Sequence, residues 1–205
     1  MKLILLIVIS SSLILGMEIL KRKFSLSVVL TRRAIHISTA TVAAIAPLFV
    51  TKQQLIFVCI LFAGVLFAGR KHRLFSAIQS VERHTFGEIF LPLGVAVTAF
   101  FFLPDSILAF QFGILIMGVS DAIGGLVGER FGKHIFMILG NKKSLEGSLV
   151  FFGCSLILTY LFYPIFGHNL FLIPLILTVI EFGFIYGLDN LVLPIVAAYL
   201  INFLI

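Results

Sequence analysis

The residues whose types and spacing could carry chemistry are concentrated between Ser120 and Ser148. This stretch begins inside an apolar run, passes through several glycines into a basic loop, and enters a second apolar run. Asp121 lies in the first run, about five residues before its expected end at Leu126 and so roughly 8 Å from it at the rise of an α-helix. An ionisable side chain at this depth is by default a candidate functional residue, the alternative being a structural ion pair with Arg130 or a lysine.

The second half of the stretch is basic and leads into the next apolar run. Lys142, Lys143 and Ser144 lie just before a predicted helix N-terminus, where cations and backbone N–H groups can hold a phosphate. A membrane-topology signal explains lysines at this position equally well. It does not explain Glu146, an acid at the start of the next run and one loop away from Asp121. Two acids together with several cations favour a site for phosphate and magnesium.

The glycines of the stretch have two interpretations. Gly124 and Gly128 have the small-xxx-small spacing of closely packed membrane helices. Alternatively Gly124, Gly125, Gly128 and Gly132 thin the helix end, so that backbone N–H groups can approach phosphate oxygens. The pattern matches neither a P-loop nor a dinucleotide-binding fingerprint. Spacing alone favours helix packing.

A second acidic pair follows near the end of the chain. Glu181 lies within a phenylalanine-rich apolar run, and Asp189 and Asn190 lie in the turn after it. An aspartate in a turn is usually a turn residue or a helix N-cap. Glu181 is harder to explain in this way because its surroundings are apolar.

Two further polar clusters precede the central stretch. Arg33 and His36 lie one helical turn apart at the start of the second apolar run, where arginines are ordinary and a histidine is usually a hydrogen-bonded helix residue. The segment Arg83–Gly94 contains Glu88 and combines polar residues with glycines. Every polar cluster falls at the same predicted side of the membrane, and this convergence is the main reason to expect one site there.

These residues must be positioned by membrane helices. The chain has 205 residues, of which 60% are hydrophobic and 12% charged, with a mean hydropathy of +1.19, so the bilayer must act as its solvent. The sequence predicts a single all-α domain over residues 1–205, an integral membrane bundle of about eight transmembrane helices. The apolar runs are Leu3–Leu20, Ala34–Val50, Gln54–Gly69, Ile89–Leu103, Ser106–Leu126, Ser148–Phe166, Leu170–Tyr186 and Leu191–Ile205.

The basic residues are distributed unevenly between the two sides of such a bundle. Thirteen of the 15 lysines and arginines fall on one side, leaving Lys2 and Lys52 on the other. This bias places the basic loops in the cytoplasm and both termini outside it. It also explains the net charge of +6 without a nucleic-acid partner. The stretch His72–Arg83 is predicted to be a short amphipathic cytoplasmic helix.

The central motif resembles a known family. Ser-Asp-Ala-Ile-Gly-Gly-Leu-Val-Gly-Glu-Arg-Phe-Gly-Lys at 120–133, followed by Lys-Ser-Leu-Glu-Gly-Ser at 143–148, is similar to the polyprenol kinase family of phytol kinase, dolichol kinase and CTP-dependent diacylglycerol kinase. The resemblance extends to residues 33–36, 83–94 and 187–194. Ser120 stands where many members have glycine, which keeps a small residue at that position.

The resemblance implies transfer of the γ-phosphate of CTP to an isoprenoid or other lipid alcohol, with Mg²⁺, at the cytoplasmic face. Because phosphoryl transfer depends mostly on positioning and charge neutralisation, metal ligands and phosphate-binding cations should dominate the site. The candidate catalytic residues are Asp121, Lys143, Glu146 and Asp189, of which the three acids are candidate metal ligands. The candidate nucleotide-binding residues are Gly125, Gly128, Arg130, Gly132, Lys133, Lys142, Ser144 and Asn190. Further site candidates are Arg33, His36, Glu88 and Glu181.

Three other functions are compatible with parts of the pattern. A membrane cytidylyltransferase making a CDP-lipid has a similar aspartate–glycine–lysine loop, but usually carries a later acidic and histidine-containing stretch that this sequence lacks. A transporter would place its acids near the middle of the membrane and show paired half-repeats. A structural scaffold leaves the acids unexplained. Phytol, geranylgeraniol, farnesol, longer polyprenols and diacylglycerol all remain possible acceptors.

Overall fold

The computed structural model describes residues 1–71, 74–78, 85–138, 141–163, 168–184 and 186–204. Within these ranges the chain forms helices and one short hairpin, which confirms the predicted helical membrane architecture. The helices are α1 (Lys2–Phe24), α2 (Val28–Ile45), α3 (Lys52–Lys71), α4 (Gly87–Phe102), α5 (Ile107–Leu115), α6 (Asp121–Phe131), α7 (Leu145–Phe162), α8 (Asn169–Gly183) and α9 (Asp189–Leu204).

Each predicted apolar run overlaps a helix of the described ranges. Five helical segments are long and apolar enough to cross a membrane: Lys2–Phe24, Val28–Leu48, Lys52–Arg70, Ile107–Phe131 and Leu145–Phe162. Three more are apolar but shorter: Gly87–Phe102, His168–Gly183 and Asp189–Phe203. The number of eight spans and the position of the termini outside the cytoplasm therefore stay predictions. The predicted helix at His72–Arg83 lies mostly outside the described residues, and its described part, 74–78, contains a turn.

The fifth apolar run forms the central helix, which is longer than the sequence suggested. Helix α5 continues through a π-helical turn, Ile116–Ser120, into α6, which ends at Phe131 rather than at Leu126. Asp121 therefore lies ten residues from the helix end, roughly 15 Å along the axis. Gly124 and Gly128 do not end the helix but lie where α6 packs against α7, and the helix ends just before Gly132. Single π turns inside helices occur often at functional sites, and this one immediately precedes Asp121.

The core surrounds this central helix. Phe110, Phe112 and Ile116 are fully buried, as are Leu193 and Ala197 of the neighbouring helix α9. In the central segment Ile107–Phe131, 67% of the most apolar stretch is buried inside the bundle. The corresponding share for α1 is 17%. Helix α1 is therefore peripheral, while α5, α6 and α9 form the centre of the bundle.

A hairpin that the sequence did not predict connects α6 to α7. Strand β1 (Ile135–Ile138) pairs antiparallel with β2 (Asn141–Ser144), with Phe136 opposite Lys143. The Leu145 backbone N–H donates to the His134 carbonyl at 3.0 Å and closes the base of the hairpin. The Phe136 ring packs edge-on against Phe182 of α8, with ring centroids 5.9 Å apart. The hairpin thus holds Lys143 against the rest of the bundle.

Candidate functional site

A polar cavity of about 420 Å³ lies where the hairpin meets the beginnings of α2, α7 and α9 and the end of α8. A volume of this order is typical of small-molecule sites. The cavity brings together eleven of the predicted site residues, which are spread between positions 33 and 190 of the chain. They are Arg33, His36, Asp121, Gly125, Gly128, Lys142, Lys143, Ser144, Glu181, Asp189 and Asn190.

Arg33 is held between two acids of α6. Its Nη1 donates to Asp121 Oδ2 at 3.3 Å and its Nη2 to Glu129 Oε1 at 3.1 Å. The guanidinium lies against Gly125, where any side chain would overlap it. Gly125 therefore makes room for Arg33, a role that neither interpretation of the glycines included. The result is a charged, positioned guanidinium at the wall of the cavity.

Lys143 is held by the end of α8. Its ammonium donates to the Glu181 carbonyl at 2.9 Å, forms an ion pair with the Glu181 carboxylate, and lies 3.8 Å from Asp189 Oδ2. Burial by itself would lower the pKa of the Lys143 ammonium, but the neighbouring carboxylates outweigh burial and raise that pKa above the ordinary value for lysine. Lys143 is therefore a fixed cation at neutral pH.

The beginning of α9 joins the late Gly-Leu-Asp-Asn motif to the start of α4. Gly187 has a φ of +87°, and its Cα-bound hydrogen faces the Gly87 backbone, which leaves no room for a side chain. Asn190 Nδ2 donates to the Gly87 carbonyl at 2.9 Å, and the Phe86 N–H donates to the Tyr186 carbonyl at 2.9 Å. These contacts fix Asp189 at the cavity, although it is far in sequence from Asp121.

Two buried polar atoms at the cavity have no hydrogen-bond partner among the described residues: His36 Nε2 and Asn190 Oδ1. The exposed fraction is 6% for His36 and 3% for Asn190. Buried polar groups are nearly always hydrogen-bonded, so an unpaired atom in a residue that lines a cavity makes that residue a candidate contact for a ligand or water. No pattern in the sequence indicates that His36 Nε2 would lack a partner.

Helix packing explains two of the motif glycines. Gly124 lies against the Gly147 carbonyl, which an added Cβ would approach to 2.9 Å, and Gly128 lies against Ser144 and Gly147. The Ser144 Oγ accepts the Gly147 N–H at 3.2 Å and caps α7 at the same place. The small-xxx-small interpretation of Gly124 and Gly128 is therefore confirmed.

The remaining predicted site residues do not line the cavity. Glu146 accepts the His134 backbone N–H at 3.2 Å and pairs with His134 Nδ1 at 2.8 Å. Successive helix residues are about 100° apart, so Gly147 and Ser148 can face the cavity while Glu146 faces the outside of the hairpin. Glu88 pairs with Arg70 at 2.8 Å. Arg130, Gly132 and Lys133 are likewise absent from the lining.

This arrangement separates the three predicted metal ligands. Asp121 and Asp189 share the cavity, but Glu146 does not. Within the described ranges, no group of three or more histidines, cysteines, aspartates or glutamates could hold a metal ion by itself. Magnesium, however, is commonly bound by one or two carboxylates together with substrate phosphates and waters. The two aspartates fit a metal that arrives with a phosphate ligand.

Two charged residues of the lining, Arg32 and Glu129, were not among the predicted site residues. Arg32 Nη2 donates to Thr85 Oγ1 at 3.4 Å, next to the start of α4. Glu129 follows Asp121 by eight positions, which returns a helix to within about a quarter turn of the same face. That spacing is a signal by which Glu129 could have been found.

Comparison with known proteins gives relatives but no structural match. The chain is 30% identical to phytol kinase of Synechocystis over 201 residues, which cover 91% of this chain and 84% of that protein. It is 38% identical over 119 residues to an uncharacterised protein of Methanocaldococcus jannaschii, covering 57% and 58% of the two chains. It is 32% identical over 134 residues to an uncharacterised protein of Rickettsia prowazekii, covering 60% and 62%. No protein-family profile and no solved structure matches.

Proposed function

This chain belongs to the polyprenol kinase family, and we propose that it transfers the γ-phosphate of CTP to an isoprenoid or other lipid alcohol. The observation that carries the proposal is the polar cavity, in which Arg33 and Lys143 are held beside Asp121 and Asp189. The near full-length similarity to phytol kinase supports the class of reaction. CTP as donor rests on the resemblance of the sequence motif.

The cavity offers four cations for the phosphates: Arg32, Arg33, Lys142 and Lys143. Arg33 and Lys143 are already charged and fixed by carboxylates. Fixed donors require little reorganisation when charge develops on a transferring phosphoryl group, which makes them effective in its stabilisation. We infer that the triphosphate replaces part of these internal ion pairs when it binds.

Asp121 and Asp189 are the residues we propose as ligands for Mg²⁺. They come from different helices, α6 and α9, and both line the cavity near Lys143. When bound, the ion would neutralise charge on the phosphates and orient them. Glu146 is not included, because it pairs with His134 on the outside of the hairpin.

The reaction that this site supports is a direct displacement. The alcohol oxygen forms a bond to the γ-phosphorus, while the bond from that phosphorus to the β–γ bridging oxygen breaks. The nucleoside diphosphate leaves with the electron pair, and the hydroxyl proton is released. Arg33 and Lys143 stay charged throughout, and their part is to hold the phosphates in line with the acceptor.

Isotope labelling tests the reaction and separates it from its rival. Purified protein is incubated with a lipid alcohol, Mg²⁺ and CTP labelled in either the α- or the γ-phosphate, and parallel reactions replace CTP by the other nucleoside triphosphates. We expect γ-label in the lipid and release of CDP. Incorporation of α-label into a lipid phosphate with release of pyrophosphate would instead indicate a cytidylyltransferase. The Asp121→Asn protein is the control for contaminating kinases.

The orientation of the site is a separate proposal, based on the distribution of basic residues. Met137 in the hairpin and Asp105 between α4 and α5 are both exposed, and the charge bias places them on opposite sides of the membrane. Single cysteines at these positions, in a background without Cys59 and Cys154, should be labelled from the cytoplasmic side at 137 and from the other side at 105. Labelling of 137 from outside would contradict a cytoplasmic site.

A further inference from the structure

A second cavity lies directly behind the polar one, between helices α1, α2, α3 and α4. It is smaller than the polar cavity, about 90 Å³ against about 420 Å³. Most of its wall residues are apolar, among them Leu6, Val42, Ala43, Leu55, Phe62 and Leu91, while Ser10, Thr39 and Glu88 also line it. We call it the apolar groove.

The groove and the polar cavity share two wall residues, Arg32 and His36. From there the groove follows one face of α2, on which Arg32, His36, Thr39 and Ala43 recur at the spacing of helical turns. An apolar slot that adjoins a phosphate-sized polar cavity is the arrangement that an amphiphilic substrate requires, because its hydroxyl must reach the polar side while its hydrocarbon stays out of water.

His36 lies at the junction with a buried Nε2 that has no hydrogen-bond partner in the described part of the chain. A neutral imidazole nitrogen is either a donor or an acceptor, depending on the tautomer, and a hydroxyl can serve as the partner of both. An alcohol whose chain lies in the groove would therefore satisfy this nitrogen with its hydroxyl.

We propose that the apolar groove binds the hydrocarbon chain of the acceptor and that His36 Nε2 binds its hydroxyl. The inference rests on the proposed function and deepens it, since it names the part of the site that takes the acceptor alcohol. His36 is assigned as a substrate-binding residue that positions the hydroxyl at the phosphate site.

A binding experiment tests the groove without requiring turnover. A single-chain isoprenoid alcohol carrying a diazirine is photo-crosslinked to the full-length protein in vesicles, and the modified peptides are identified by mass spectrometry. We expect adducts on groove residues such as Val42 and Phe62, reduced by excess unlabelled alcohol. Labelling confined to lipid-facing residues, or groove adducts that excess unlabelled alcohol does not reduce, would overturn the proposal.

Kinetics of matched variants test the same site. Ala43→Leu fills the groove, whereas Ala34→Leu makes the same change on α2 at a half-buried position that lines neither cavity. We expect Ala43→Leu to raise KM for the alcohol by about 10- to 100-fold, with KM for the nucleotide unchanged and with Ala34→Leu near wild type. An equal effect of both substitutions, or none from Ala43→Leu, would contradict a groove for the acceptor.

His36 is tested by a pair of substitutions. His36→Ala should lower kcat/KM for the alcohol by about 3- to 10-fold, the effect of losing one hydrogen bond, and His36→Gln should recover part of it. Loss of nucleotide binding in His36→Ala would overturn the assignment to the hydroxyl. If the alcohol crosslinks in the groove but no nucleotide supports its phosphorylation, the proposed function fails and the groove stands. If phosphorylation proceeds and Ala43→Leu has no effect, the groove fails and the function stands.

Discussion

Two buried acidic positions of this molecule differ in what surrounds them. Glu18 of α1 is only 7% exposed, and its carboxylate accepts hydrogen bonds from Ser76 Oγ at 2.7 Å, the Ala77 N–H at 2.7 Å and Arg22 Nε at 2.9 Å. It lines neither cavity. Asp121 of α6 is similarly buried, but Asp121 and its partner Arg33 both line the polar cavity.

The comparison shows that burial alone does not identify a functional acid in a membrane bundle. Both residues are acids within an apolar run near a basic segment, so their sequence contexts are alike. The Glu18 carboxylate is enclosed by donors from the segment 74–78 and from its own helix, and ties the two together. Asp121 leaves space beside it for a ligand. The cavity beside the carboxylate, rather than the buried charge, therefore distinguishes a candidate site from a structural contact.

Substitution of Asp121 is the strongest test of this distinction. Asp121→Asn keeps the size of the side chain but removes the charge that pairs with Arg33 and is proposed to hold Mg²⁺. We expect the rate of phosphoryl transfer to fall by about 10²–10³-fold or more. The purified protein should stay folded, which its midpoint of thermal unfolding measures. Near-normal activity of Asp121→Asn would place Asp121 in the same structural class as Glu18.

Lys143 gives the next largest effect. Lys143→Ala removes a fixed cation from the cavity and leaves the Glu181 carboxylate without its ammonium partner. We expect a loss of roughly 10²-fold in kcat/KM for the nucleotide, with partial recovery in Lys143→Arg. Lys133→Ala is the matched control, since Lys133 belongs to the same motif and does not line the cavity. Equal losses in both variants would contradict a specific role for Lys143.

Substitution of Glu18 should lower stability and leave activity nearly unchanged, the opposite of the effect expected at Asp121. In Glu18→Gln one acceptor oxygen becomes an N–H donor, so either the bond from the Ala77 N–H or the one from Arg22 Nε is lost. We expect the midpoint of thermal unfolding to fall by about 2–10 °C, from a buried donor left unsatisfied. The activity of the protein that remains folded should stay within about twofold of wild type. A selective loss of activity at an unchanged unfolding midpoint would show that a buried acid that lines no cavity can also be functional.

The smallest effect is expected at Glu146, the acid that the structure separates from the other two. Glu146→Gln weakens the pair with His134 on an exposed turn. We expect activity within about twofold of wild type and an unchanged dependence on Mg²⁺, measured by titration of the metal at fixed nucleotide. A tenfold or greater shift in that titration would restore Glu146 to the metal site.

The sequence was most informative about the positions of the helices and least informative about what each helix packs against. Hydropathy located the helices because each is a continuous apolar run. It misplaced the end of α6, because glycines such as Gly124 were compatible with both a helix end and close packing. It missed the hairpin, since strands of four residues are too short for an alternating pattern to stand out.

The candidate site was predictable in its residue types but not in its pairs. Arg33 and Asp121 are 88 positions apart, and no local pattern reports that Gly125 accommodates the guanidinium between them. Glu146 was assigned to the metal because it is an acid one loop away from Asp121, whereas in the structure it pairs with His134 outside the cavity. The unpartnered nitrogen of His36 follows only from the three-dimensional arrangement.

The internal ion pairs of the polar cavity have a consequence for how quickly a nucleotide arrives. Among the described lining residues, Arg32, Arg33, Lys142 and Lys143 face an equal number of acids, Asp121, Glu129, Glu181 and Asp189. A cleft of one sign attracts an opposite charge from a distance and makes association depend steeply on ionic strength. A cavity whose charges balance exerts little such attraction beyond a Debye length of about 8–10 Å. In the proposed reaction the lining would therefore select the nucleotide at contact, by exchange of partners, and long-range attraction would come from the basic loops around the cavity.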